Sequence, residues 1–320
     1  MKVLVVSPVH PQALHRLRAE HDLQVSLNPP PERLLAEVAD REVVAVRSGV
    51  VLSEDVFDQA PSLRLVLRAG SGLDNIHLDS ARRHGVRVVR VHGMSAPPVA
   101  EMTFALLLSL ARKVVLADRL LRVGQWPKPS LGGPLLRGKT LGVVGAGNIG
   151  SLVGEMGAAW GMRVLGCVAH PDLADVQRLA ERGITLTDFD TVVEQSDVLT
   201  LHVPLDDTTH HMVDATVLDR MRPGSLLVNI ARGGVVDEKA LAEALDTGRT
   251  VAGAALDVHE TEGEGTLSPL AGRDDVVLTP HIGAMALDSQ RLIGERLVEL
   301  LAAFEAGGLE EEVHDGELVC

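Results

Sequence analysis

The sequence predicts an α/β protein made of two doubly wound parallel-sheet domains. Short β-branched runs alternate with longer helical patterns along most of the chain, and 320 residues are enough for two domains. The composition is also weighted towards aliphatic residues, glycine and arginine, with no tyrosine. Strands covered by helices on both faces are buried twice over, so they read as continuous aliphatic runs.

VLVVS (3–7) reads as the first strand and Pro11–Glu20 as the helix after it. VVAVRS (43–48), LRLVLRAG (63–70) and VRVVRV (86–91) continue the β-α traffic. A long amphipathic stretch, Val99–Arg122, is followed by a Pro/Gly-rich loop from Pro127 to Gly138. The second series runs through TLGVV (140–144), MRVLGCV (162–168), VLTLHVP (198–204), SLLVNIA (225–231), VAGAALDV (251–258) and DVVLTPH (275–281). A last helix is expected over Leu287–Ala306. The acidic tail LEEEVHDGELVC (309–320) is expected to be a solvated, mobile end.

The formal charge of −14 argues against nucleic acid or an anionic membrane as partner, because like charges repel and no counterions are released. Cys167 and Cys320 lie too far apart in sequence to suggest a disulfide framework or a zinc site, which fits a reducing cytoplasm and no metal. The apolar start is interrupted by Pro8 and His10 too early for a signal peptide, and the stretch Phe104–Leu110 stops at Arg112 and Lys113, short of a bilayer span.

Gly145-Ala146-Gly147-Asn148-Ile149-Gly150 follows the strand TLGVV and opens a helical pattern. In that setting the first glycine permits a tight turn, the second lets backbone approach a pyrophosphate, and the third lets helix and strand pack closely. The helix N-terminus then faces an anion. A Rossmann-like dinucleotide site is therefore expected here. The next strand ends at Val168, where a ribose-binding carboxylate would stand, so the cofactor is NAD or NADP, with NAD slightly ahead. His170 either contacts the ribose or its phosphate or is a plain surface histidine.

Three polar residues stand just past aliphatic runs, where open parallel sheets bind ligands. Arg232 follows LLVNIA, Glu262 comes shortly after AALDV, and His281 ends VVLTP. Each alone has an ordinary explanation: a turn cation, a solvated loop acid, a capped or buried histidine. Reduction of a 2-oxo acid needs all three types. Arginine grips a carboxylate bidentately, histidine protonates the nascent alkoxide, and a carboxylate stabilises the imidazolium. Glu260 and Glu264 are alternative partners for the histidine; the spacing from Asp257 favours Glu262.

RAGSGLDNIHL, PVAEMTFALLLSLAR, LRGKTLGVVGAGNIG, MRPGSLLVNIARGGVVDE, AGAALDV and LTPHIGA occur in this order. Together they resemble the signature blocks of the D-isomer-specific 2-hydroxyacid dehydrogenases, and the likeness covers nearly the whole chain. It implies an NAD(P)-dependent D-2-hydroxyacid dehydrogenase in which Arg232 binds the substrate carboxylate, Glu262 partners the histidine and His281 is the general acid/base. The implied cofactor contacts are Asn148, Ile149, Val203, Pro204, Ile230, Ala231, Asp257 and Gly283, with Asp257 holding the nicotinamide carboxamide. Ser71 and Gly72 would offer backbone amides to the substrate, and Arg47 either reaches its distal anionic group or is a surface residue.

The same resemblance implies a flavodoxin-like substrate domain (1–97 and 285–320) into which a cofactor domain (98–284) is inserted, with the active site in the cleft. It also implies a homodimer, to which the Val99–Leu121 helix contributes unless it is an interdomain core helix. Val168 replaces the aspartate of the family's NAD users, Gly263 the proline that commonly follows the glutamate, and His259 an aromatic residue; the loop GMSAPPVAE is atypical too. A nucleotide-sensing corepressor shares this resemblance, but no added partner-binding segment is visible. Phosphite dehydrogenase would call for a lysine where Ser71 stands, and formate dehydrogenase for a Pro-Gln pair before the histidine block.

Overall fold

A computed structural model describes residues 1–314 and 316–320 of the chain. These form two compact units, Met1–Ser95 with Ala284–Cys320, and Ala96–Gly283.

The first unit alternates β1 (Lys2–Val5), α1 (Pro11–Glu20), β2 (Asp22–Val25), α2 (Pro31–Val38), β3 (Val43–Val46), α3 (Glu54–Asp58), β4 (Leu65–Arg68), α4 (Leu78–Arg83) and β5 (Arg87–Arg90). The strands are parallel in the order β2-β1-β3-β4-β5. Alternate residues of one strand feed opposite faces of the sheet. Val3, Val5, Val43, Ala45, Leu65 and Leu67 pack in the core that holds α1, while Leu4, Val44, Val46 and Val66 pack in the core that holds α2 and α3. The uninterrupted aliphatic runs follow from this double burial.

The second unit begins with α5 (Ala96–Ala111) and α6 (Val114–Arg122) and continues with β6 (Thr140–Val144), α7 (Asn148–Ala159), β7 (Arg163–Cys167), α8 (Leu173–Glu181), β8 (Ile184–Leu186) and α9 (Phe189–Gln195). It then adds β9 (Val198–Leu201), α10 (Ala215–Arg220), β10 (Ser225–Asn229), α11 (Glu238–Thr247), β11 (Val251–Leu256) and β12 (Val276–Leu278). Its parallel sheet runs β12-β11-β10-β9-β6-β7-β8. The order reverses between β6 and β9. Ligands of such sheets bind past the carboxyl ends of the strands beside that reversal.

The structure corrects two sequence expectations. The stretch Val99–Arg122 is not one amphipathic helix but two helices, parted at Lys113, which adopts φ +51°. α5 buries ten of its residues and packs on α7, β10, β11 and β12 of its own unit, whereas α6 buries none. A helix buried along most of its surface needs only a narrow polar face, and of the two α6 shows the stronger amphipathic pattern.

The acidic tail is not a loose solvated end. After α12 (Leu287–Ala306) and α13 (Leu309–Glu312) the chain returns to the free edge of β5. Arg90 N–H donates to Glu317 O, Val319 N–H to Val88 O and Val88 N–H to Cys320 O. Arg296 and Glu317 are both buried, and the Arg296 guanidinium donates to both Glu317 carboxylate oxygens (3.2 and 2.7 Å) and to Glu312 Oε1 (2.6 Å). Acidic composition signals solvation only where no buried cation receives the carboxylates. No helix among the described residues is long and apolar enough to cross a membrane.

Candidate active site

The turn from β6 into α7 shows what each glycine does. Gly145 takes φ +88°, and a Cβ there would lie 2.7 Å from the carbonyl oxygen of His202 at the end of β9. A Cβ on Gly150 would lie 2.2 Å from Gly145 O, so helix and turn touch only because it is absent. Gly147 is different: a Cβ there meets nothing within 4 Å. Its side is open for a ligand to come close to backbone. The twelve-residue helix that starts at Asn148 aims its positive dipole end at the same place. This cradle fits a dinucleotide pyrophosphate.

Around it stand the other positions expected to hold the cofactor. Val203 and Pro204 follow β9, the buried Ile230 and Ala231 follow β10, and half-buried Ile149 lies in the first turn of α7. His202 bonds Thr200 Oγ1 through Nε2 (2.9 Å), and burial lowers its imidazole to about 3, so it is neutral at working pH. Val168 follows β7 without a carboxylate, and His170 is exposed in the bend beyond it.

Arg232, Glu262 and His281 come from the carboxyl ends of three adjacent strands, β10, β11 and β12. Asn229, fully buried at the end of β10, accepts the Ala231 N–H through Oδ1 (3.1 Å) and donates from Nδ2 to Arg232 O (2.9 Å), which fixes the turn carrying Arg232. The Arg232 guanidinium donates to Ala231 O (2.7 Å). Gly233 then passes so close to the next loop that a Cβ would fall 1.9 Å from His259 O.

His281 adopts φ +53°, unusual for a residue with a β-carbon. Asp257 holds it there. Its carbonyl accepts the His281 N–H (2.7 Å), and its buried carboxylate accepts Thr279 Oγ1–H (2.6 Å), Ile282 N–H (2.9 Å) and Gly283 N–H (2.7 Å). The Oδ2 atom has lone-pair capacity for a further donor.

Nδ1 of His281 meets both carboxylate oxygens of Glu262, at 3.0 and 2.9 Å. Burial opposes ionisation of Glu262, but the hydrogen bond and charge of His281 and the His259 N–H outweigh it and hold the carboxyl below its ordinary range. Glu260 turns elsewhere, accepting from His211 Nε2 at 2.6 Å. Gly263 adopts φ +135°, which strains any residue with a side chain and explains why the usual proline is absent.

In the first unit, Arg47 follows β3 and Ser71 and Gly72 follow β4, its neighbour in the sheet. Arg47 Nη1 donates to Gln290 Oε1 (2.6 Å), and Arg90 Nη1 holds the Ser71 carbonyl (3.0 Å). Sequence reasoning missed Asn229, Glu238 and Thr279, all of which position the site. Asn229 had a visible signal, as the polar residue ending an aliphatic run; Glu238 and Thr279 had none. Among the described residues, no grouping of His, Cys, Asp and Glu could hold a metal ion.

Comparison with known proteins gives the arrangement its relatives. Residues 104–283 match the family described as D-isomer specific 2-hydroxyacid dehydrogenase, NAD binding domain. The chain is 38% identical over 300 residues to a D-3-phosphoglycerate dehydrogenase of Archaeoglobus fulgidus, covering 93% of this chain but 56% of that protein. A hydroxypyruvate reductase of Thermotoga maritima is 36% identical over 302 residues, covering 93% of this chain and 96% of that one. The crystal structure of D-lactate dehydrogenase from Aquifex aeolicus, complexed with NAD and lactic acid, superposes with a TM-score of 0.86 at 32% identity, covering 99% and 98% of the two chains. The two parallel-sheet units, the glycine cradle and these matches agree, and the chain belongs to the D-isomer-specific 2-hydroxyacid dehydrogenase family.

Proposed function

We propose that this protein is an NAD(P)-dependent D-2-hydroxyacid dehydrogenase that interconverts a small 2-oxo acid and its D-2-hydroxy acid. The observation that carries the reading is the His281–Glu262 pair, held on the Asp257-pinned turn at the carboxyl ends of the same sheet that carries the glycine cradle. A nicotinamide cofactor held at the cradle would supply the hydride in reduction and accept it in oxidation. His281, with Nδ1 engaged by Glu262, uses Nε2 to give a proton to the carbonyl oxygen in reduction and to take it back in oxidation. Arg232 grips the substrate carboxylate and polarises the neighbouring carbonyl. Arg47, Ser71 and Gly72 complete the substrate contacts, the two loop residues through backbone N–H groups.

Gly145, Gly147, Asn148, Ile149 and Gly150 hold the pyrophosphate end of the cofactor, and Val203, Pro204, Ile230, Ala231, Asp257 and Gly283 the nicotinamide end. NAD is preferred slightly: Val168 removes the carboxylate that would repel a 2'-phosphate but supplies no cation to bind one, and His170 beyond it is a group able to contact ribose or phosphate. The assembly is a homodimer, to which the exposed apolar residues of α6, Val114, Val115 and Leu121, contribute.

The test is a matrix of NADH and NADPH against glyoxylate, hydroxypyruvate, pyruvate and phosphorylated 2-oxo acids, followed by loss of reduced nicotinamide. Turnover of one or more of these acids is expected, and none at high enzyme concentration overturns the reading.

A further inference from the structure

The ring of His259 lies between the loops that carry Glu262 and His281. It is largely buried, with 15% of the side chain exposed. Nε2 donates to the carbonyl oxygen of Thr279 (3.0 Å), the oxygen that also accepts the His281 N–H (3.1 Å). The His259 backbone N–H donates to Glu262 Oε1 (3.3 Å), and its carbonyl is the group against which Gly233 packs. One residue thus touches the His281 turn, the Glu262 carboxylate and the residue beside Arg232.

The other ring nitrogen, Nδ1, is buried without a hydrogen-bond partner. The nearest charge is Glu238 Oε1, 3.8 Å away at the start of α11, while Glu262 faces the residue from its own loop. Glu238 is 1% exposed, and its oxygens accept the Glu260 N–H (2.8 Å) and Ser268 Oγ–H (3.0 Å). It therefore anchors the 259–262 loop from behind. With Nε2 donating to Thr279, a neutral ring turns a bare lone pair towards that carboxylate, whereas a protonated ring pairs with it.

We propose that His259, backed by Glu238, is a positioning residue: its ring ties Thr279 to the 259–262 loop and so sets how Glu262 meets His281. The inference rests on the hydride-transfer reading of that pair. Groups that orient a metal-bound imidazole from behind commonly change affinity or activity about 10- to 100-fold when removed, and an effect of that order is expected for this metal-free pair.

His259→Phe keeps a ring of similar size but deletes the donor to Thr279, while His259→Gln retains an amide donor. With the full chain and the 2-oxo acid it turns over, His259→Phe is expected to lower kcat about tenfold or more, with KM for the cofactor within about twofold, and to move the alkaline limb of the pH profile to lower pH. His259→Gln is expected to recover most of kcat. A second readout needs no turnover: the downfield imidazole N–H proton signal of the His281–Glu262 bond, identified by its loss in His281→Ala, should vanish in His259→Phe and persist in His259→Gln.

Wild-type kcat, pH profile and proton signal in His259→Phe overturn the proposal. If that variant does not fold, Glu238→Gln decides: a shifted alkaline limb supports the proposal and an unchanged one refutes it. If the wild-type chain turns over none of the acids while the proton signal responds as described, the hydride-transfer reading fails and the positioning role stands.

Discussion

His281 Nδ1 lies 2.9 Å from Glu262 Oε2, although the two residues sit on different loops and His281 holds a left-handed backbone. Against burial, the hydrogen bond and charge of the His281 ring hold the Glu262 carboxyl below its ordinary range. Glu262→Gln removes the carboxylate that orients this ring and should reduce kcat/KM about tenfold or more. The carboxyl of Glu262 is held below its ordinary value, so the pair persists above that value and is lost as pH falls through the lowered one. A pH–rate profile of the variant beside the wild type checks the acid limb, and His281→Ala should lose roughly 10²- to 10⁴-fold in kcat.

Arg232 stands in a turn whose backbone Asn229 fixes, which sets where its side chain leaves the strand end. Arg232→Lys keeps the charge but loses the planar fork. It should raise KM for the 2-oxo acid and lower kcat together, by about tenfold or more in kcat/KM, with cofactor affinity unchanged. Initial-rate kinetics with separate cofactor titration measure this.

The glycines of the cradle should separate fold from binding. Gly147→Ala meets no atom within 4 Å, so stability should stay within about 0.5 kcal/mol while cofactor affinity falls. Gly150→Ala drives a Cβ into Gly145 O and should cost about 1–3 kcal/mol before any ligand binds. Urea unfolding and fluorescence titration with NADH, run on both variants, distinguish the two.

Glu317→Gln should destabilise the first unit, because it leaves the buried Arg296 guanidinium without its full countercharge; about 3 kcal/mol is expected at neutral pH. Burial opposes ionisation of Glu317, yet the Arg296 hydrogen bond holds its carboxyl below the ordinary value. The stabilisation is thus present above the unfolded-state value and disappears as pH falls through the lowered one. Hydrogen exchange at Val88, Arg90 and Val319 should report the loss at neutral pH, with the gap between variant and wild type closing in acid.

Legibility in the sequence followed burial. β1, β3, β4, β6, β9 and β10 are buried on both faces and wrote themselves as aliphatic runs. β2 and β8 lie at sheet edges, carry polar residues and passed unread. The tail was misread for a related reason: Glu317 looks like a solvated acid until Arg296, twenty-one residues earlier, is seen buried against it.

The sequence by itself determined the β-α alternation, the glycine cradle and the strand ends at which Arg232, Glu262 and His281 stand, since each is a local pattern of side-chain type and spacing. The contact of His281 with Glu262 rather than Glu260, which spacing had only favoured, was a matter for tertiary structure alone. So were the anchoring of the His281 turn by Asp257 and the seat of His259 between two loops. The order of strands β10, β11 and β12 in the sheet fixes those contacts, and identical residue types along the chain become distinguishable only by what packs against them.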